Sequence, residues 1–158
     1  EKLDADGYAS MIANTTKLNT AGPELAELPG VHALTDVTGF GLAGHLLEIA
    51  RGANLTAHIQ WADVPLLPNV SGLLKDGHVT GASGRNWEGY GQEINLAKDL
   101  PTECQPLLSD PQTSGGLLVS CAPDSVADVL AVFQRHGFSE AAVVGHMGQV
   151  QSSRLMVS

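Results

Sequence analysis

The sequence predicts one domain of the α/β type, and three observations carry that prediction. Apolar residues recur at helical spacing in separate stretches. Short β-branched or apolar runs lie between them, and Gly, Pro, Asn and Asp gather at the joints. A chain of 158 residues that is 43% hydrophobic and 16% charged holds enough apolar side chain for a core and too little charge for a disordered polyelectrolyte.

Taken in order, Tyr8, Met11, Ile12 and Thr15 fall on one helical face; Asp6 is placed to cap that helix and Ala21-Gly22-Pro23 to end it. Val31 to Val37 is short and bounded by Pro29-Gly30 and Gly39, which predicts a strand. Ala43, Leu46, Leu47 and Ala50 repeat the helical spacing, with Gly52 as a left-handed stop. Thr56 to Trp61 reads as a second strand, and Pro65 to Leu74 as a turn into a short helix ending at Asp76-Gly77. Gly77, Gly81, Gly84, Gly89 and Gly91 then crowd one segment, read as a mobile or ligand-facing loop or as a buried glycine-rich turn. Leu117 to Cys121 is an apolar strand. Val126, Val129, Leu130 and Phe133 mark a helix opened by Pro123-Asp124-Ser125 and closed by Gly137. Ala141 to Val144 begins a strand, and Gly145 to Val150 carries a turn or bulge into another.

Charge narrows the function classes. Eight Lys and Arg against seventeen Asp and Glu give a net charge of −9, the wrong sign for a nucleic-acid or anionic-membrane surface. No apolar run approaches the ~20 residues of a membrane span, so the expectation is a soluble protein. Cys104 and Cys121 form neither a disulfide framework nor a zinc knuckle, which fits a reducing, cytoplasmic compartment. Cys121, after an apolar strand, is expected buried, and Cys104, in a Pro-flanked loop, exposed. The six histidines show no H-x-x-x-H or H-E-x-x-H spacing, so no zinc site is expected. The opening Glu1-Lys2-Leu3-Asp4 is charged, holds no signal segment and lacks an initiator Met, so the chain reads as a fragment.

Two segments carry chemistry. The first is Thr35-Asp36-Val37-Thr38-Gly39-Phe40-Gly41-Leu42-Ala43-Gly44-His45, a strand ending in a carboxylate and passing through hydroxyls and glycines into a helix start. A helix N-terminus favours an anion, and a strand-end carboxylate is a ligand for Mg²⁺, which completes its shell with water and phosphate oxygens. The pair suits a metal–polyphosphate ligand. A plainer reading remains open, in which Asp36 merely caps the next turn while the glycines allow tight packing. The literal G-x-G-x-x-G at Gly39, Gly41 and Gly44 also admits a dinucleotide oxidoreductase, but the polar Thr35, Asp36 and Thr38 do not suit the apolar strand that motif needs. The second segment is Asp110-Pro111-Gln112-Thr113-Ser114-Gly115-Gly116-Leu117-Leu118. Asp-Pro starts a turn, Thr113 and Ser114 supply hydroxyls, and Gly115-Gly116 admit a backbone closed to other residues; such a turn forms an anion nest or merely a connection into a strand.

At these two segments the chain resembles the C-terminal domain of the selenophosphate synthetase (selenide, water dikinase) family, and the order of the surrounding helices extends the resemblance over nearly the whole length. Sister enzymes of the aminoimidazole ribonucleotide synthetase superfamily share the architecture but not that wording. The resemblance implies an α/β (α+β) sandwich with a mixed, largely antiparallel sheet covered by helices, residues 1–158 being a single C-terminal domain. It implies a whole enzyme that makes selenophosphate, AMP and phosphate from selenide, ATP and water, and homodimerises through an N-terminal domain. It also implies Mg²⁺ on the nucleotide phosphates, with Asp36 as the metal ligand. Thr35, Thr38, Gly39, Gln112, Thr113, Ser114, Gly115 and Gly116 are the candidate nucleotide-site residues. The family's reactive Cys or selenocysteine and its Lys belong to the N-terminal domain, so no catalytic residue is expected here and neither Cys104 nor Cys121 inherits that role. The isolated chain is expected to be inactive. A different class of reading is a non-catalytic interaction module using the Gly77–Gly91 segment, and another is a different ATP-dependent enzyme of the same superfamily.

Overall fold

The structure, a computed structural model, describes residues 3–158; Glu1 and Lys2, part of the charged opening, lie outside the described residues. The first helix, α1 (Ala5–Thr15), is capped by Asp4, whose carboxylate accepts from the Gly7 N–H at 2.7 Å. Asp6, expected as the cap, sits in the first turn, where a negative charge still suits the helix dipole. The apolar stripe of α1 faces outward: Tyr8, Met11 and Ile12 are exposed, and no residue of the helix is buried. It stops well before Gly22-Pro23, and at its end the Thr15 and Thr16 hydroxyls donate back to the Met11 and Ile12 carbonyls; Pro23 instead opens α2 (Gly22–Ala26), its fixed φ suiting a first turn.

Next come β1 (Val31–Asp36) and α3 (Gly41–Ala53), whose buried stripe includes Ala43, Leu46, Leu47 and Ala50 as the spacing requires. Fully burying Leu47 contributes about 1.5–3 kcal/mol. The helix stops at Asn54, which adopts the left-handed conformation (φ 53, ψ 47), while Gly52 lies inside it. Then follow β2 (Thr56–Ile59), a 3-10 turn at Trp61–Asp63 where the strand was expected to continue, and α4 (Val70–Lys75). The glycine-dense segment is not a loop. It is α5 (Gly81–Tyr90), started by the Thr80 hydroxyl, which accepts from the Ser83 N–H at 3.2 Å. Its face of Ser83, Asn86 and Tyr90 makes hydrogen bonds to neighbouring elements, which offset the helix-weakening glycines.

Two short elements carry no sequence signal strong enough to predict: β3 (Ile94–Leu96) and α6 (Cys104–Leu108). The latter buries Cys104 at 1% exposure, whereas Cys121 is half-buried, the reverse of expectation. A helix turns Cys104 into the core where a loop would have left it out. The strand β4 (Leu117–Cys121) and helix α7 (Val126–Arg135), closed near Gly137 (φ +78), are as expected. Ala141 to Val144 forms no strand; the Val144 carbonyl accepts from the Gln60 N–H at 2.9 Å, and its side chain packs against the core. The strands there are β5 (Gly145–Gly148) and β6 (Leu155–Val157).

The fold is mixed α/β, with helices against two sheets. β1 and β4 form an antiparallel ribbon that runs from Val31↔Cys121 to Asp36↔Leu117. The other sheet has the order β3-β6-β2-β5, with β2–β5 antiparallel and the β2–β6 and β3–β6 pairs parallel. Strand alternation sends ribbon side chains to opposite faces. Val37 and Leu118 join the core beneath α3, while Leu34, Leu117 and Val119 pack with α2 and α7. The ribbon therefore stands between two apolar clusters, and its end at Asp36 and Leu117 reaches the surface. No described helix is long and apolar enough to cross a membrane.

Candidate functional site

Asp36 closes β1 and is exposed. Among the described residues its carboxylate enters none of the ion pairs. Nor does it cap the next helix. Phe40 occupies the N-cap of α3, and no side chain there satisfies the helix N-terminus. The carboxylate is thus left unpaired at the end of β1, on the ribbon face it shares with Leu34 and Leu117.

Backbone hydrogen bonds fuse the two sequence motifs into one structure. The Val37 N–H donates to the Gly116 carbonyl at 2.9 Å, and the Gln112 N–H donates to the Thr38 carbonyl at 3.0 Å. Gly115 is buried against this junction, where a Cβ would lie 1.9 Å from the Val37 carbonyl oxygen. Gly41 (φ +70) is equally constrained, since a Cβ there would approach the Leu108 carbonyl to 2.7 Å. The packing role of these glycines is therefore real, and it brings the motifs together. Gly39 differs: a Cβ there meets nothing within 4 Å, so the turn opens to space. In the second motif the left-handed residue is Ser114 (φ 56), not either glycine. A serine held in that strained region, exposed beside the junction, marks a turn shaped by its surroundings.

The structure brings together Thr38, Gln112, Gly115 and Gly116 through these contacts, with Asp36 beside them in register with Leu117. Thr35 stands apart: strand alternation points it to the face opposite Asp36, and its hydroxyl donates to the Asp36 carbonyl at 3.2 Å. Thr113 and Ser114 are exposed on the same turn. The supporting residues were missed in the sequence. The Asn86 carboxamide donates to the Gly39 and Ser109 carbonyls at 2.8 and 3.0 Å, and the Tyr90 hydroxyl donates to the Phe40 carbonyl at 2.6 Å. Burial pushes the Tyr90 hydroxyl up to about 12, so it remains a donor. The Asn19 carboxamide donates to the Gly115 carbonyl at 2.9 Å. Helical spacing of Ser83, Asn86 and Tyr90 was the available signal, masked by the glycines between them. Asp110 accepts from the Thr80 hydroxyl and the Gln112 carboxamide, each at 3.3 Å, and burial raises its carboxyl above the usual range.

The donor set fits Mg²⁺ in part. Hard oxygen donors are present, with one free carboxylate among them, but among the described residues no group of three His, Cys, Asp or Glu side chains could hold a metal. Asp36 can supply one ligand of a shell completed by phosphate, water or carboxylates beyond the described residues.

Fold and junction together define a class. Residues 6–158 match the family described as AIR synthase related protein, C-terminal domain, and the chain belongs to that family. More particularly, it is 63% identical over 147 residues to a selenide, water dikinase of Paraburkholderia xenovorans, covering 93% of this chain and 42% of that protein. A selenide, water dikinase of Pseudomonas straminea is 60% identical over 145 residues, covering 92% and 41% respectively. The chain thus spans about two fifths of the length of the curated relatives it matches. Among solved structures, E. coli HypE superposes with a TM-score of 0.59 at 21% identity, covering 86% of this chain and 34% of that one. A hydrogenase maturation protein HypE in complex with ATP gives 0.56 at 20% identity, with coverages of 89% and 37%. These likenesses establish the fold.

Proposed function

We propose that this chain is the C-terminal domain of a selenide, water dikinase, which makes selenophosphate, AMP and phosphate from selenide, ATP and water. The observation that carries the reading is the junction itself: an exposed carboxylate at Asp36, next to Val37 and Thr38, whose backbone N–H and carbonyl hydrogen-bond to Gly116 and Gln112 of the second turn. High identity to proteins of that name supports the substrate assignment. The ATP complex of a protein with this fold is compatible with the nucleotide.

In this reading Asp36 donates one oxygen to Mg²⁺, which would neutralise charge on the nucleotide phosphates. The α3 N-terminus and the Thr113–Ser114 turn form a polar wall facing those phosphates, and Thr38 and Gly39 shape the turn between them. Thr35 supports the strand from the opposite face. The nucleophile, remaining metal ligands and dimer contacts are assigned to an N-terminal domain of the same protein, in a cytoplasmic homodimer. Residues 1–158 alone therefore bind nucleotide poorly and turn nothing over. The test is the conversion of ATP to AMP with selenide present, measured for this chain alone and for the full-length protein with and without Asp36→Ala. Activity of the chain alone, or full activity of the variant, refutes the assignment.

A further inference from the structure

We propose that His45, whose Nδ1 faces the Glu48 carboxylate, is a positioning residue that fixes the Asp36 turn through one ring tautomer. His45 lies early in α3 and is only 7% exposed. Its Nε2 stands 3.0 Å from the Thr38 backbone nitrogen. A backbone N–H only donates, so Nε2 accepts, carries no proton, and leaves the ring proton on Nδ1. The Thr38 hydroxyl lies 3.2 Å from the same nitrogen. On the other side of the ring, Nδ1 is buried and 3.0 Å from Glu48 Oε2, yet it is not aligned for a hydrogen bond and has no other partner. A carboxylate only accepts, so Glu48 favours a proton on Nδ1 and thereby leaves the Nε2 lone pair for Thr38.

The consequence falls on a single residue. The Thr38 N–H is held by His45, while its carbonyl accepts from the Gln112 N–H at 3.0 Å and the Gly41 N–H at 3.1 Å. Thr38 is clamped from both ends, two positions after Asp36. The other tautomer would set N–H against N–H and release that clamp. The tautomer stands on geometry alone; its effect on Mg²⁺ rests on the function proposed above.

Imidazole ¹⁵N NMR of the chain reads the tautomer without any substitution, and a protonated Nδ1 with a bare Nε2 is expected. Hydrogen exchange at the Thr38 amide then separates packing from hydrogen bonding. His45→Leu should speed exchange about tenfold, whereas His45→Gln, whose carbonyl oxygen reaches the Nε2 position, should restore it. In the full-length protein His45→Leu should raise the Mg²⁺ concentration for half-maximal activity about tenfold, and His45→Gln should recover it. An Nε2–H ring, or equal Thr38 exchange in the two variants, overturns the proposal. Altered exchange with an unaltered Mg²⁺ requirement upholds the clamp on Thr38 and overturns its coupling to the metal.

Discussion

Gly115 packs so tightly on Val37 that a Cβ would stand 1.9 Å from the Val37 carbonyl oxygen, far inside van der Waals contact. Backbone must move to admit any side chain. Gly115→Ala is therefore expected to cost about 1–3 kcal/mol or more, read from the midpoint of denaturant unfolding. Gly39→Ala, with open space above it, should stay within about 0.5 kcal/mol of the parent. Equal losses at the two positions would show that the junction does not depend on the close approach.

Asp36 separates activity from stability. It is exposed and free of ion pairs among the described residues, so Asp36→Ala should leave the thermal melt of the chain nearly unchanged. In the full-length protein the same change should lower AMP formation by about 10²-fold or more, the scale of losing one aligned group that stabilises transferred charge. A large drop in melting temperature would make Asp36 a structural residue instead.

Asp110 gives a signed pH dependence. Burial raises its carboxyl, opposed by hydrogen bonds from Thr80 and Gln112. A carboxyl raised on folding holds its proton more tightly in the folded state. Its contribution therefore falls as pH rises from the ordinary carboxylate range through the raised folded value. Asp110→Asn should flatten that fall, seen by subtracting the two stability–pH curves over the mildly acidic range. A difference curve that rises with pH would contradict the burial argument.

The two thiols should be poor nucleophiles. Burial pushes Cys104 up to about 11, and Cys121 is raised by burial and by the Asp124 charge. Iodoacetamide at neutral pH, followed by mass spectrometry, should leave Cys104 unmodified until the chain is denatured. Labelling of native Cys104 at the rate of a free thiol would show that α6 opens readily.

The elements legible in the sequence are those whose apolar stripe meets a core. In α3 the spacing of Ala43, Leu46, Leu47 and Ala50 predicts the buried face, and in α7 Val129 and Phe133 do the same. α1 shows the limit of that logic, for its stripe predicts a helix correctly yet remains exposed. α5 shows the opposite failure. Its glycines hide a face of Ser83, Asn86 and Tyr90 that is held by side-chain hydrogen bonds to carbonyls elsewhere in the chain. Cys104 was misplaced because a five-residue helix has too little periodicity to betray its buried side.

Sequence by itself determined the chemistry on offer: a strand-end carboxylate, hydroxyls, glycines at turns, and the periodicities of the principal helices and strands. Tertiary structure alone decided that the Asp36 turn and the Ser114 turn are joined, that Gly115 is needed for closeness while Ser114 takes the left-handed backbone, and that His45 reaches Thr38. The physical reason is that periodicity and turn propensity are local. A hydrogen bond between the Gln112 amide and the Thr38 carbonyl joins residues far apart in the chain and leaves no pattern in either stretch.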